Sequence, residues 1–213
     1  MCDEVPAVYI IDDDAGVLDA LVMIVHTVGI SSKTYLRAED FLAEFRGDQP
    51  CCIILDVRMP GMSGTELQEE LIRRKIEIPI IAISGLSDIQ TAVKMVKAGA
   101  LDFFEKPIKE QLLLDAIHSA LKQDKERRLL EKKCVVCQER YDSLTPREKE
   151  VMALMVRGKT GKEIAAELNI SSKTVEKFRA KVMKKTKVHS IAELVLIAVN
   201  LKLLSPQDYL EIC

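Results

Sequence analysis

Residues 53–56 read Ile-Ile-Leu-Asp, three apolar residues closed by a carboxylate, and this punctuation recurs on both sides. Upstream, Val8–Ile11 is followed by Asp12 and Asp13; downstream, Ile78–Ile83 is followed by Ser84, and Leu101–Phe104 by Glu105 and Lys106. A weaker run covers Ser32–Tyr35. Amphipathic stretches lie between the runs, near 15–28, 38–46, 64–75, 88–98 and 109–121. Strands that alternate with helices form a parallel sheet covered on both faces. Five such units in about 120 residues predict a compact doubly wound α/β domain.

The reactive edge of such a sheet is the carboxyl ends of its strands, where the topology reverses. Asp12, Asp13, Asp56, Ser84 and Lys106 all fall there, delivered by four separate strands. Clustered carboxylates repel one another and become favourable together around a hard divalent cation such as Mg²⁺. Asp56 is placed to attack phosphorus and form an acyl phosphate. Ser84 can donate to a phosphoryl oxygen and Lys106 can neutralise another. Pro107 makes the Lys106–Pro107 bond a candidate for a cis peptide that aims the lysine inward. Singly, each residue also fits a solvated turn; together, each occupies the corresponding place after its own strand.

The segments IIDDD (10–14), ILDVRMPGMSG (54–64), IAISG (81–85) and GALDFFEKP (99–107) resemble the receiver domain of two-component response regulators, over about 5–121. The resemblance implies a flavodoxin-like five-stranded sheet, with Asp13 binding Mg²⁺ directly and Asp12 through water. It implies that Asp56 accepts the phosphoryl group from the histidine of a sensor kinase, that the Arg58 backbone carbonyl completes the metal site, and that Lys106 contacts the phosphate. Ser84 and the aromatic Phe103 would reorient on phosphorylation. Serine at 84 stands where threonine is commoner. Arg58 and Leu86 occupy variable positions expected to tune the lifetime of the acyl phosphate.

Charge separates the rest of the chain from this part. Residues 1–121 carry 11 basic against 20 acidic residues, whereas 157–187 carry 10 against 3. The overall net charge of −2 therefore hides an acidic front and a locally basic back, which places the back half near a polyanion. Residues 122–140 are dense in charge and free of Gly and Pro, predicting a semi-rigid helical linker. Residues 141–213 then show four short helices with readable ends. Thr145-Pro146-Arg147-Glu148 combines a capping box with proline at the first helical position, and Gly158 stops that helix. Thr160 with Glu163 repeats the box, Asn169 supplies a left-handed turn, Ser171 or Ser172 opens a helix to about Lys187, and Ser190 with Glu193 opens the last.

In the helix from 172 to 187, Val175, Phe178 and Val182 form an apolar stripe and lysines occupy the other surface. A basic outer face on the second of two tightly joined helices suits the major groove of DNA, although most lysine-rich helices are solvated faces. The stretch from LTPRE at 144 to AEL at 194 resembles the LuxR-type helix-turn-helix of the NarL/FixJ class over about 144–200, nearest to the FixJ-like branch. The resemblance implies that Glu176, Lys177 and Ala180 approach base edges, while Ser171, Lys173, Thr174, Lys181 and Lys184 hold phosphates. Phe178 stands where the family commonly has histidine and Gly161 where asparagine is frequent, which leaves the operator open.

The expected protein is thus a response regulator. Phosphorylation at Asp56 promotes a homodimer on an inverted-repeat operator in double-stranded DNA, with RNA polymerase a further partner. The alternative is a phosphorylation-responsive adaptor that binds protein and not DNA. A dehalogenase-type phosphatase needs a second aspartate two residues after the nucleophile, where Arg58 stands. No turnover beyond self-phosphorylation and self-dephosphorylation is expected. No secretory leader or membrane-spanning run is evident, so a cytoplasmic location is expected. Six cysteines lack the spacing of a disulfide framework or zinc module. Cys51 and Cys52 read as small core residues; Cys134 and Cys137, three apart on one helix face, read as without chemical role, with a redox or metal role, an intermolecular disulfide above all, as the alternative.

Overall fold

The computed structural model describes residues 5–85 and 89–204; Cys2, Leu86 and Cys213 lie outside them. The chain divides into two compact units, with the boundary between Arg128 and Leu129. In the first, β1 (Ala7–Ile11), α1 (Ala15–Thr27), β2 (Ser31–Tyr35), α2 (Ala38–Glu44), β3 (Cys51–Asp56), α3 (Gly64–Arg73), β4 (Ile80–Ser84), α4 (Ile89–Lys97) and β5 (Asp102–Glu105) alternate strictly. The strands form one parallel sheet in the order β2-β1-β3-β4-β5. Ile11 stands opposite Leu55, Leu55 opposite Ala82 and Ala82 opposite Phe103, so the strand ends align.

Successive strand residues feed opposite faces. Val8, Ile10, Cys52, Ile54, Ile81 and Ile83 pack with Leu18 and Leu21 of α1 and with Leu113 and Ile117. Ile11, Cys51, Ile53, Leu55 and Ala82 pack instead with Phe41 of α2, Leu67 and Leu71 of α3 and Met95 of α4. Each large aliphatic or aromatic side chain among these gains roughly 1.5–3 kcal/mol by burial, and a one-residue slip of β3 would exchange two packed faces at once. Two strand limits differ from the sequence reading. β3 starts at Cys51, whose fully buried thiol is pushed up to about 11, chiefly by burial. β4 starts at Ile80 because Pro79 has no N–H to give; its carbonyl still accepts from Ile53 N at 2.9 Å.

α5 runs from Glu110 to Asp142, so the charge-dense stretch 122–140 is helical throughout. Its first turns belong to the first unit. Asp124 is fully buried, accepts the Cys51 backbone N–H at 2.9 Å and pairs with Arg127 and Arg128. Arg128 also donates to the Gly47 carbonyl at 2.7 Å. The sequence reading for this stretch was a semi-rigid helical linker, with no such buried contact in view.

The second unit contains α6 (Pro146–Val156), α7 (Gly161–Glu167), α8 (Ser172–Thr186) and α9 (Ile191–Asn200) around a core that includes Val151, Met155, Ile164, Val175, Val182, Leu194 and Ile197. Both capping boxes form, Thr145 with Glu148 and Thr160 with Glu163. Asn169 takes the left-handed conformation that closes α7, at φ 52°. Glu148 also reaches inward: it is buried, accepts from Lys185 at 2.6 Å and from Thr145 N at 2.8 Å. Cys134 and Cys137 are free and half-buried. Among the described residues no helix is long and apolar enough to cross a membrane.

Candidate functional site

The sheet order reverses between β1 and β3, and the candidate acidic site lies at their carboxyl ends. Asp12 follows β1, Asp56 ends β3, Ser84 ends β4, and Lys106 follows β5. Asp12, Asp56 and Ser84 are buried, whereas Asp13 is exposed. One oxygen from each of Asp12, Asp13 and Asp56 lies within 4.8 Å of the others. Lys106 Nζ bridges two of them, at 2.6 Å from Asp12 Oδ2 and 3.0 Å from Asp56 Oδ1. The remaining oxygens are oriented locally: Asp12 Oδ1 accepts from Asp14 N at 3.0 Å, and Asp56 Oδ2 from Arg58 N at 3.2 Å. Lys106 is held in place by its own N–H, which donates to the Ser84 carbonyl at 2.8 Å, and Lys106–Pro107 is cis.

Three carboxylates against one ammonium leave the site short of positive charge. Burial pushes the Asp56 carboxyl above the ordinary carboxylate range, against the hydrogen bond and charge of Lys106, and nearby Asp12 adds to the rise. Burial pulls the Lys106 ammonium down, but its hydrogen bonds to Asp12 and Asp56 more than reverse this and leave it raised. An all-oxygen donor set with uncompensated negative charge fits a hard divalent cation. Phe103 is half-buried against the face formed with Met95 and Ala100, while Phe104 packs on the opposite face.

Two residues that frame this site went unnoticed in the sequence. Gly64 opens α3 directly under β3: a Cβ there would sit deep inside contact distance of the Asp56 carbonyl oxygen and 3.0 Å from Val57 Cα. Glu39 of α2 accepts Met62 N at 3.3 Å from the loop that follows Asp56. The paired glycines of the PGMSG segment were the available signal for the first. A glutamate in the first turn of a helix carries no such signal.

The second candidate surface is α8. Ser171 caps it, accepting Thr174 N at 3.1 Å. Val175, Val182 and Thr186 are buried, and Phe178 is half-buried against the same core, as the stripe predicts. Ser171, Lys173, Glu176, Lys177, Ala180, Lys181 and Lys184 are exposed, with Thr174 half-buried. Lys185, in the same run, turns inward to Glu148 and to the Ser143 carbonyl at 3.1 Å. Arg147 of α6 donates to the Leu168 carbonyl at 2.7 Å, joining the first helix of the unit to the turn that precedes α8.

Comparison with known proteins decides between a charged surface and a family. Residues 8–118 match the response regulator receiver domain, and residues 142–198 match the bacterial regulatory proteins of the luxR family. The response regulator protein TodT of Pseudomonas putida is 44% identical, over 95% of this chain and 89% of its own length. The chain belongs to the response regulators of the NarL/FixJ class. The transcriptional regulatory protein FixJ of Bradyrhizobium diazoefficiens is 36% identical, over 93% of this chain and 97% of its own. Among solved structures, the response regulator StyR aligns with a TM-score of 0.83 at 41% identity, over 91% of this chain and 98% of that one. Full-length FixJ from B. japonicum gives 0.57 at 36%, over 93% and 98%. This response regulator therefore joins a receiver to a LuxR-type DNA-binding domain.

Proposed function

We propose that Asp56 is the phosphoacceptor of a two-component system and that its phosphorylation promotes dimerisation and sequence-specific DNA binding. The observation that carries this reading is the placement of Asp56: buried, at the end of the central strand, with an ammonium and two further carboxylates around it. One oxygen of Asp56 attacks the phosphorus of a sensor kinase's phosphohistidine; the N–P bond breaks and its electron pair returns to the imidazole. Asp12, Asp13, Asp56 and the Arg58 carbonyl would hold Mg²⁺, which supplies charge neutralisation for the phosphoryl oxygens. Lys106 neutralises a further phosphoryl oxygen, and Ser84 donates to another while Phe103 follows it inward. Water attack on the acyl phosphate returns Asp56, so turnover is limited to self-phosphorylation and self-dephosphorylation.

In this reading residues 1–121 form the receiver, 122–140 a helical linker and 141–213 the DNA-binding domain. Exposed Val93, Val96 and Leu101 lie on α4 and beside β5, and two receivers pair through that face. Two copies of α8 then meet an inverted repeat, because one short helix buries too little surface for tight specific binding. Glu176, Lys177 and Ala180 read base edges; Ser171, Lys173, Thr174, Lys181 and Lys184 hold phosphates and set the register. The protein acts in the cytoplasm and meets RNA polymerase at the regulated promoter.

The test is selection of genomic fragments by the purified protein with Mg²⁺, with and without acetyl phosphate. Enrichment of an inverted repeat that sharpens with acetyl phosphate and disappears in Asp56→Ala is expected. Equal enrichment in every condition refutes the switch, and no enrichment at any salt concentration favours a protein-binding adaptor.

A further inference from the structure

The loop of residues 57–63 leaves Asp56 and ends at Ser63, the N-cap of α3. Three carboxylates hold its backbone. At its start Asp56 Oδ2 accepts from Arg58 N at 3.2 Å, and at its end Glu66 Oε2 accepts from Ser63 N at 2.8 Å. Between them Glu39, the second residue of α2, accepts from Met62 N through Oε1 at 3.3 Å. Gly61, at φ +80°, lies against the same oxygen: a Cβ there would come within 2.9 Å of it. Arg37 Nη2 approaches that oxygen at 3.5 Å.

The other oxygen of Glu39 is anomalous. Oε2 is enclosed without a hydrogen-bond partner although the side chain as a whole is half-exposed, and among the described residues no other buried side-chain nitrogen or oxygen is so placed. An unpaired buried acceptor is costly, more so when charged. What the carboxylate does provide is a fixed backbone acceptor in the middle of the loop, beside the packing of Met59 and Met62 on the core.

We propose that Glu39 is a positioning residue for phosphoryl acceptance: from α2 it holds the 59–62 part of the loop, so that the Arg58 backbone stays in register with the oxygens of Asp12, Asp13 and Asp56. This rests on the phosphoacceptor reading above. Glu39 touches neither the metal site nor the phosphoryl group; it acts through the loop backbone, as partners behind a metal ligand do.

The test compares full-length wild type with Glu39→Ala, Glu39→Asp and Glu39→Gln. Mg²⁺ affinity is measured by calorimetric titration, and Asp56 labelling by acetyl phosphate is followed at limiting and saturating Mg²⁺. Loss of such a partner is expected to weaken Mg²⁺ binding about tenfold, with labelling at limiting Mg²⁺ slowed in proportion and largely restored at saturation. Glu39→Asp keeps the charge and the helix start but falls short of Met62 N, so it weakens binding as alanine does even if the alanine variant folds poorly. Glu39→Gln still offers Met62 N an oxygen and stays within about twofold of wild type. Wild-type Mg²⁺ affinity in both Glu39→Ala and Glu39→Asp overturns the inference, whatever happens to their Tm; so does a loss in Glu39→Gln as large as in Glu39→Asp. Asp56→Ala separates the two levels: if it still labels like wild type, the phosphoacceptor reading itself fails. If it does not label while Glu39→Asp binds Mg²⁺ normally, only the role of Glu39 fails.

Discussion

Gly64 and Gly161 make a matched pair. Each is the first residue of a helix, behind a capping box made by Ser63 with Glu66 or Thr160 with Glu163. Their surroundings differ. A Cβ on Gly161 meets nothing within 4 Å, whereas on Gly64 it would stand 3.0 Å from Val57 Cα, 3.1 Å from the Asp56 carbonyl carbon and closer still to its oxygen. Carbon atoms pack at about 3.5–4.0 Å, so the start of α3 and the end of β3 must part by roughly 0.5–1 Å. The obstacle is backbone, and no rotamer change relieves it. Overpacking of this kind costs about 1–3 kcal/mol, while alanine at an open site gains about 0.4–1 kcal/mol by restricting the unfolded chain. Gly64→Ala should therefore lower the first unit's transition by roughly 5–10 °C in calorimetry, and Gly161→Ala should leave its own unit unchanged or slightly more stable. Because the displaced atom is the carbonyl of Asp56, acetyl phosphate labelling should fall along with stability. A Gly64→Ala protein with wild-type melting and labelling, or a Gly161→Ala protein destabilised equally, would refute the reasoning.

Three other outcomes follow from the charges. Asp56 is raised by burial, so its ionised form is penalised in the folded state, a penalty fully present above the folded value and lost as pH falls through the unfolded one; Asp56→Asn should melt higher than wild type without metal and gain less from added Mg²⁺, read in thermal scans. Glu148 is lowered, first by Lys185 and then by Thr145, so its contribution is complete above the unfolded value near about 4.3 and is lost as pH falls through the folded one. Glu148→Gln should cost the second unit about 1–2 kcal/mol at pH 7 and flatten its stability against pH in the acid range, checked by denaturant titration at several pH values. Lys181→Ala and Lys184→Ala should each weaken DNA binding across all sequences and reduce the slope of log K against log salt by about 1, whereas Lys185→Ala, whose partner is Glu148, should lower Tm.

The acidic site was legible in the sequence because each of its members is positioned by something local. Asp12, Asp56, Ser84 and Lys106 each close or follow an apolar run, and parallel pairing then brings run ends to one edge. The basic face of α8 was legible for a similar reason: Val175 and Val182 fix the buried side by periodicity, which leaves Lys173, Lys177, Lys181 and Lys184 outside. Asp124 shows where such reasoning stops. Its spacing from Arg127 and Arg128 is that of ordinary solvated pairs on a helix, worth a few tenths of a kcal/mol. The partner that changes its meaning is Cys51 N, 73 residues away.

The same limit explains why Glu39 and Gly64 escaped notice while Asp56 did not. A residue that performs chemistry must stand at a strand end, and strand ends are written in the hydropathy pattern. A residue that holds the chemistry in place has no such obligation: Glu39 works from the side of α2, and Gly64 works by lacking atoms where Asp56 and Val57 come close. Sensitivity to substitution should therefore extend beyond the rim residues into α2 and the start of α3, to positions whose chemistry alone would mark them as neutral. The contrast between Gly64 and Gly161, identical in residue type and helix position, isolates that effect, since only the approach of β3 separates them.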